Sequence, residues 1–414
     1  MKKTAFLYII LIFFSFNLFA DDNITFNGDL KEQDYKLSSI KKRSFEIGFL
    51  HTRIGISNNY LNVGQILQEQ IVLEFNKLDN GLKVNFDFSI IPFNINIIHD
   101  ELWGYGFSLG FDAIGIMDIS RNMLTLNDAF NDSSLVSGAV FAEVRFPGFY
   151  NLYNFKLKIS PSLYYPILYI DGKPCMNYYL NNNSYNSTVF NFNYNFRIYT
   201  AYDMGNNASS KLTAQPGVDF HLGVEYPLAE VIKLKEKYNF LDFKVGLDLL
   251  NIPLIPSKMK HYLEIKGKIG DDNQILIDNL DDDFININEP LYGFDKIYIM
   301  RPFKLLIWID WKPIETIPVN FISTLGFAIS PLYEKSLSME GGIKAQYNIS
   351  NIFIPSFGIG YHDRLWRNCL DMALIIKNFS MKFGVEMYSQ TFEKSWQGKG
   401  LGLNIGFNIV IDNI

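Results

Sequence analysis

The chain of 414 residues carries 37 Lys and Arg against 43 Asp and Glu, a formal charge of -6, which excludes the basic footprint of a nucleic-acid binder. With 48% apolar and 19% charged residues it is not a disordered tail. Two cysteines (Cys175, Cys369) and five scattered histidines (His51, His99, His221, His261, His362) support neither a disulfide framework nor a clustered metal centre, so no cofactor or metal is expected.

Lys2 and Lys3 precede an apolar stretch from Ala5 to Phe19, and Leu18-Phe19-Ala20 then meets Asp21-Asp22. That order is the one found in a secretory signal, with cleavage expected after Ala20. Residues 1–20 are therefore read as a signal and 21–414 as one exported domain. The apolar run includes Ser15 and Asn17 and falls short of the ~20 residues that span a bilayer as a helix. No cysteine follows Ala20 at the cleavage position, which leaves a lipid anchor without an acceptor. Beyond Ala20 no run of 18 apolar residues occurs, so any membrane location would rest on strands.

Six nine-residue windows alternate between apolar and non-apolar residues without error. In chain order they are Leu82 to Ile90, Tyr105 to Ala113, Phe190 to Ile198, Val218 to Tyr226, Leu241 to Leu249 and Leu401 to Ile409. At 48% apolar residues chance would produce fewer than about one such window. AT-rich coding raises the amount of Phe, Ile and Asn but cannot set their phase. Side chains on a strand point alternately to two faces, so each window has one apolar and one polar face. Nine to eleven residues tilted by about 45° rise roughly 21 to 26 Å, close to the ~25 Å apolar band of a transmembrane barrel. Ten weaker segments share this character, among them Phe45 to Leu50, Val136 to Phe146, Phe303 to Trp311, Met339 to Tyr347 and Met381 to Met387. Some of these would be halves of one bent strand. The expectation is an all-β fold, a single transmembrane antiparallel barrel of about 14 strands, within a range of 12 to 16.

The interleaved residues mark what the opposite face meets. They are Lys83, Asn85, Asp87, Asn191, Asn193, Asn195, Arg197, Asp219, His221, Glu225, Asp242, Lys244 and Asp248, and they are the candidates for a lumen-facing lining. The rival fold is a soluble β-sandwich that turns these groups to bulk water. No linker divides the chain into sandwich-sized domains, and a barrel removes the edges that so many strands would otherwise expose.

Several segments interrupt the alternation. Tyr60 to Phe75 reads as helical or irregular, either a plug or an ordinary loop helix, and Arg121 to Asp132 is similar in character. Pro161 with Pro166, and Pro253 with Pro256, should end, bend or bulge their strands, and are expected at turns or rims. Asp171 to Ser187, Asp203 to Gly217, Gly270 to Asp295, Asp363 to Asp371 and Ser389 to Gly400 are polar enough for long extracellular loops. The acidic group Asp271, Asp272, Asp278, Asp281, Asp282 and Asp283 lacks calcium-loop spacing and reads as a solvated face. Cys175 and Cys369 both fall in such stretches, where a pairing is left open.

The last alternating segment places Asn404, Gly406, Ile409 and Ile411 at the positions of a terminal insertion signal. In this the chain resembles Gram-negative outer-membrane β-barrel proteins, although it lacks their terminal aromatic residue and three residues follow Ile411. Its size and expected strand count look like the fatty-acid transporter type of barrel. The resemblance implies a place in the outer membrane of a diderm bacterium, with membrane lipid and the barrel assembly machinery as partners. The implied function is porin-like passage or uptake of a small solute. A surface structural or adhesive barrel and an exported soluble sandwich that binds a ligand are the alternatives. Catalysis is not expected. His99 and His362 adjoin carboxylates in sequence, but neighbours on a strand point apart, and no G-x-S-x-G, P-loop or H-E-x-x-H motif occurs.

Overall fold

The computed structural model describes residues 44–59, 81–99, 102–125, 130–152, 155–181, 187–202, 212–228, 242–275, 285–287, 290–313, 318–332, 336–362, 365–389 and 391–412. The expected signal, the segment from Tyr60 to Phe75 and most of the acidic group lie outside them. The first strands are β1 (Ser44–Asn58), β2 (Leu82–His99), β3 (Trp103–Ile119), β4 (Phe130–Ser133), β5 (Leu135–Arg145), β6 (Gly148–Leu152) and β7 (Phe155–Gly172). Next come β8 (Cys175–Asn181), β9 (Ser187–Thr200), β10 (Gly217–Tyr226), β11 (Asp242–Ile255), β12 (Ser257–Ile275), β13 (Ile285–Ile287) and β14 (Leu291–Ile299). The last are β15 (Phe303–Lys312), β16 (Val319–Ile329), β17 (Leu337–Tyr347), β18 (Phe353–His362), β19 (Leu365–Ile376), β20 (Phe379–Ser389) and β21 (Gly400–Asp412). Two short helices, α1 (Arg121–Thr125) and α2 (Phe392–Ser395), complete the described elements.

Every ladder is antiparallel, and the pairing runs in a circuit. From β1 it passes through β2, β3, β5, β7, β10, β11 and β15 to β21, and β21 pairs back onto β1 with Ser44 opposite Asp412 and Ser57 opposite Gly400. The barrel is closed and has 14 strands. Closure removes the free edges of this 14-strand circuit among the described residues.

One sector of the wall has two tiers. β7 pairs with β10 up to Tyr164 opposite Gly217, then with β9 from Leu168 opposite Thr200. Above that level β9 pairs with β12 and β12 with β14, so β9, β12 and β14 stand on β10, β11 and β15. Pro166 falls in the gap where β7 has left β10 and not yet met β9, a place where a missing N–H costs no ladder bond. Pro161 and Pro253 likewise lie inside β7 and β11, and Pro256 sits in the seam between β11 and β12. The prolines are thus wall residues at the tier boundary, not turns at the rim.

The loop expected over Asp363 to Asp371 is also corrected, because β19 begins at Leu365. Its polar residues read as a loop since Arg367 and Asp371 find their partners inside the barrel. Asp171 to Ser187 contains β8, and Gly270 to Asp295 contains the end of β12, β13 and the start of β14. Arg121 to Asp132 holds one helical turn and then begins β4. Cys175 and Cys369 are free thiols, and Cys369 is buried within β19.

The two faces differ as the alternation requires. Leu325, Ile343, Ile307, Leu370 and Leu403 point outward and expose 59, 59, 51, 55 and 45% of their surface. Each such side chain gains roughly 1.5 to 3 kcal/mol by leaving water, so a wall of them calls for lipid. Along β14 and β15 the outward series runs from Tyr298 to Trp311, a rise of about 30 Å, and ends in an aromatic residue on both sides. α2 lies on this outer face, with Trp396 stacked on Phe357, Phe392 edge-on to Trp366, and Ser395 accepting from Asn368 at 2.7 Å. Aromatic residues at that level are what a membrane interface favours.

Candidate functional site: the buried interior of the barrel

The inward residues form three groups. The first is built around Arg301, which stands between Met300 and Pro302 in the break that joins β14 to β15. Its guanidinium donates to Asp219 at 2.7 and 2.8 Å, to the Ser162 hydroxyl at 2.6 Å, to Asp112 at 3.5 Å, and to Glu143 in a close contact. It also lies 5.2 Å over the Tyr164 ring. Glu143 is shared with Arg145 at 2.8 Å, and the Ser162 hydroxyl donates to Asp219. Arg301 and its three carboxylates are each almost fully buried.

Four strands separate Asp112 on β3 from the β14–β15 break along the circuit. Round a circular wall that arc subtends about 20 Å or more, beyond the reach of one side chain. Arg301 therefore ties β3, β5 and β10 together across the interior, and the barrel is narrowed at this level.

The second group is centred on Glu386. It accepts from Arg53 at 3.0 and 3.2 Å and from the Tyr388 hydroxyl, while Arg367 stands 3.8 Å away. Both arginines also approach Asp87, at 3.4 and 3.3 Å, and both lie over the Tyr388 ring, at 6.0 and 5.0 Å. Next to it are the pairs Lys304 with Glu340 at 3.1 Å and Lys344 with Asp371 at 2.8 Å, with His362 3.7 Å from Glu340. Charges this buried persist only when paired and hydrogen-bonded, and these are.

The third group is apolar. Ile116, Ala139, Phe141, Tyr164, Tyr199 and Met259 pack together with Ile299 and with Leu332 from the segment after β16. Tyr164 and Met259 have no exposed surface, so this part of the interior is filled. The Tyr164 ring lies where a Cβ on Gly217 would stand, and the Trp308 ring covers Gly246 in the same way. Both glycines are required by close approach. The Trp308 indole N–H donates to Asp248 at 2.7 Å.

The sequence candidates are distributed over these groups and beyond them. Asp219 belongs to the Arg301 group and Asp87 to the Glu386 group. Glu225 stands between Lys158 at 3.4 Å and Lys244 at 3.6 Å. His221 bonds Asn251 through Nε2 at 2.9 Å. Arg197 donates to Glu264 at 3.2 Å and lies over Tyr262 at 5.1 Å. Asn193 and Asn195 stand opposite Lys268 and Lys266 on the upper tier. Lys83 pairs with Asp118 at 3.1 Å, both more than a third exposed, and the Asn85 carbonyl accepts from Ser57 at 3.5 Å. Asn191 and Asp242 are placed by backbone register alone, opposite Gly270 and Lys312.

On the terminal strand Asn404 donates to Asp371 at 3.1 Å, and Gly406 makes room for the His51 ring. Ile409 and Ile411 stand opposite Ile47 and Phe45 on β1. Sequence reasoning passed over Arg301, Asp112, Glu143, Arg53 and Glu386. The available signal was a pair of cations, Arg301 and Lys304, inside the otherwise apolar run from Ile297 to Leu306.

The closed circuit, the lipid-compatible outer face and the charged interior define a transmembrane β-barrel of 14 strands. No family model matches the chain, and no curated protein matches it. Among solved structures it is similar to the Pseudomonas putida toluene transporter TodX, at 11% identity and a TM-score of 0.45 over 95% of this chain and 94% of that one. It is also similar to the monoaromatic hydrocarbon channel CymD, at 12% identity and a TM-score of 0.40 over 95% and 94%. A Pseudomonas aeruginosa FadL homologue gives 10% identity and a TM-score of 0.40 over 90% of each chain. The architecture described above stands on this chain's own strand pairing.

Proposed function

We propose that the barrel is a narrow, gated path for uptake of a small solute, in contrast to an open water-filled porin. The observation that supports this reading is the Arg301 group. The break between β14 and β15 holds a guanidinium against carboxylates from β3, β5 and β10, beside an apolar cluster. These groups are buried against one another, so a solute passes this level only when they part, and it then meets a charged and an aromatic surface, which favours a compact molecule with an apolar body and a polar end. Single-channel conductance and liposome swelling test the reading. Wild type should show low or intermittent conductance, and Arg301→Ala a larger one. A wide, steady wild-type pore, or a folded barrel through which neither form passes any solute, would refute it.

A second reading, a surface adhesive barrel, is favoured by the upper tier of β9, β12 and β14, which stands on top of β10, β11 and β15. Shortening that tier would abolish surface binding and leave conductance unchanged if adhesion were the function.

A further inference from the structure

The outer face of the upper tier carries a cationic site that the interior does not use. On β12, Ser257 and Met259 are inward and have no exposed surface, so Lys258 between them faces out, with its Nζ 5.6 Å over the Tyr298 ring. The register sets Lys258 opposite Tyr298 and Met259 opposite Ile297. Lys296, two residues before Tyr298, therefore shares the outward face, and it is exposed. Lys260 occupies the irregularity between Met259 and His261, and the His261 ring meets Phe294 edge-on at 5.3 Å.

The neighbouring acid, Asp295, is engaged with the Lys296 backbone N–H at 2.7 Å and with Arg197 at 4.0 Å. Lys258 continues the ladder to Gln215, a neutral residue, on its other side. Among the described residues the outward face thus presents Lys258 and Lys296, with Lys260 beside them in the irregularity and Asp295 as the adjoining carboxylate. It lies directly above Leu254, Ile255 and Met300, which expose 59, 56 and 42% of their surface to the lipid side. Aromatic rings and lysines at that height face the headgroup layer of the outer leaflet.

We infer that Lys258, Lys260 and Lys296, framed by Tyr298 and the His261–Phe294 pair, form a docking site for the phosphorylated headgroup of an outer-leaflet lipid. Lysine ammonium groups are point donors suited to phosphate oxygens, and Tyr298 stands level with Lys258 at the upper end of the apolar residues Leu254, Ile255 and Met300. The site rests on the outer-membrane reading and is independent of solute passage.

The test uses the full chain purified in uncharged detergent. Native mass spectrometry would measure retention of bisphosphorylated lipid A and of the same lipid stripped of phosphate. Wild type should retain the phosphorylated form preferentially, and rising salt should weaken that retention. K258Q/K260Q/K296Q should bind it roughly 100-fold less tightly, at about five-fold per lysine. If the triple variant fails to fold, as judged by heat-modifiable migration, Lys296→Gln alone on its exposed position should show the five-fold loss. Equal binding of both lipids by wild type, or unchanged binding by the variants, would overturn the site. Displacement of the lipid by millimolar inorganic phosphate would overturn its assignment to a lipid. None of these readouts measures permeability, so failure here leaves the uptake reading where it stood.

Discussion

Replacing Arg301 by alanine removes the cation that Asp112, Glu143 and Asp219 share, all of them buried. Arg145 remains beside Glu143, but Asp112 and Asp219 lose the guanidinium described above. Taking one partner from a buried ion pair costs about 3 to 5 kcal/mol, mostly because the remaining charge stays desolvated. Urea unfolding in lipid vesicles, followed by tryptophan fluorescence, should therefore show a midpoint lower by about 1 M or more. The double variant Arg301→Met/Asp219→Asn should recover part of that loss, since neutral groups in the same space carry no stranded charge. Because these bonds tie Arg301 to three strands across the interior, the alanine variant should also conduct more. A stability within about 0.5 kcal/mol of wild type together with unchanged conductance would refute the reasoning, since Arg301 would then bind neither the fold nor the constriction.

Three further outcomes follow from the same geometry. Glu386→Gln leaves Arg53 and Arg367 with Asp87 alone of the two carboxylates they share, and should cost about 2 to 3 kcal/mol in the same unfolding assay, whereas Tyr388→Phe should cost about 1. Leu325→Arg near the middle of β16 should destabilise the inserted barrel by about 2 to 4 kcal/mol, and Leu337→Arg at the start of β17 by about 1 or less; equal costs would place the membrane band elsewhere. Gly246→Ala puts a Cβ into the Trp308 ring and should cost about 1 to 3 kcal/mol, with a red shift of tryptophan emission as the indole is displaced; an unchanged spectrum would mean that the ring is not packed there.

The wall was legible in the sequence because its driving force is periodic. Leu401, Leu403 and Ile405 must all meet lipid, and Gly402, Asn404 and Gly406 must all turn inward, so the phase survives codon bias. The tiers were not legible. Pro166 and Pro256 signal an interruption, but whether the chain turns back or continues one tier higher depends on which neighbour pairs next, here β9 beside β7. β19 was hidden for a related reason: a polar residue facing a paired interior has the same letter as one in a loop, and only the partner separates Arg367 on a strand from an arginine in solvent.

The site was least legible of all, because the inward set changes parity where strands bulge. On β2, Asp87 and Ser89 face the interior, where Ser89 donates to Asp112 at 3.3 Å. After the register shift between Ile90 and Phe93 the inward residue is Asn94, whose side chain lies against Gly48. β1 makes the matching change at Leu50, a non-glycine residue with φ 52°, so that Gly48 and then His51 and Arg53 point inward. A one-residue slip moves every later side chain to the other face. An alternation window ends where the bulge begins, so the windows are blind to the residues just past it. Arg53 and the Arg301 break both lie beside such irregularities, and that is where this barrel gathers its buried charge. Local irregularity lets a side chain leave the wall and reach groups several strands away, which regular pleating forbids. The interior chemistry of this protein thus joins arginines set beside irregularities, Arg53 and Arg301, to carboxylates inside regular alternation, Asp87, Asp112 and Asp219.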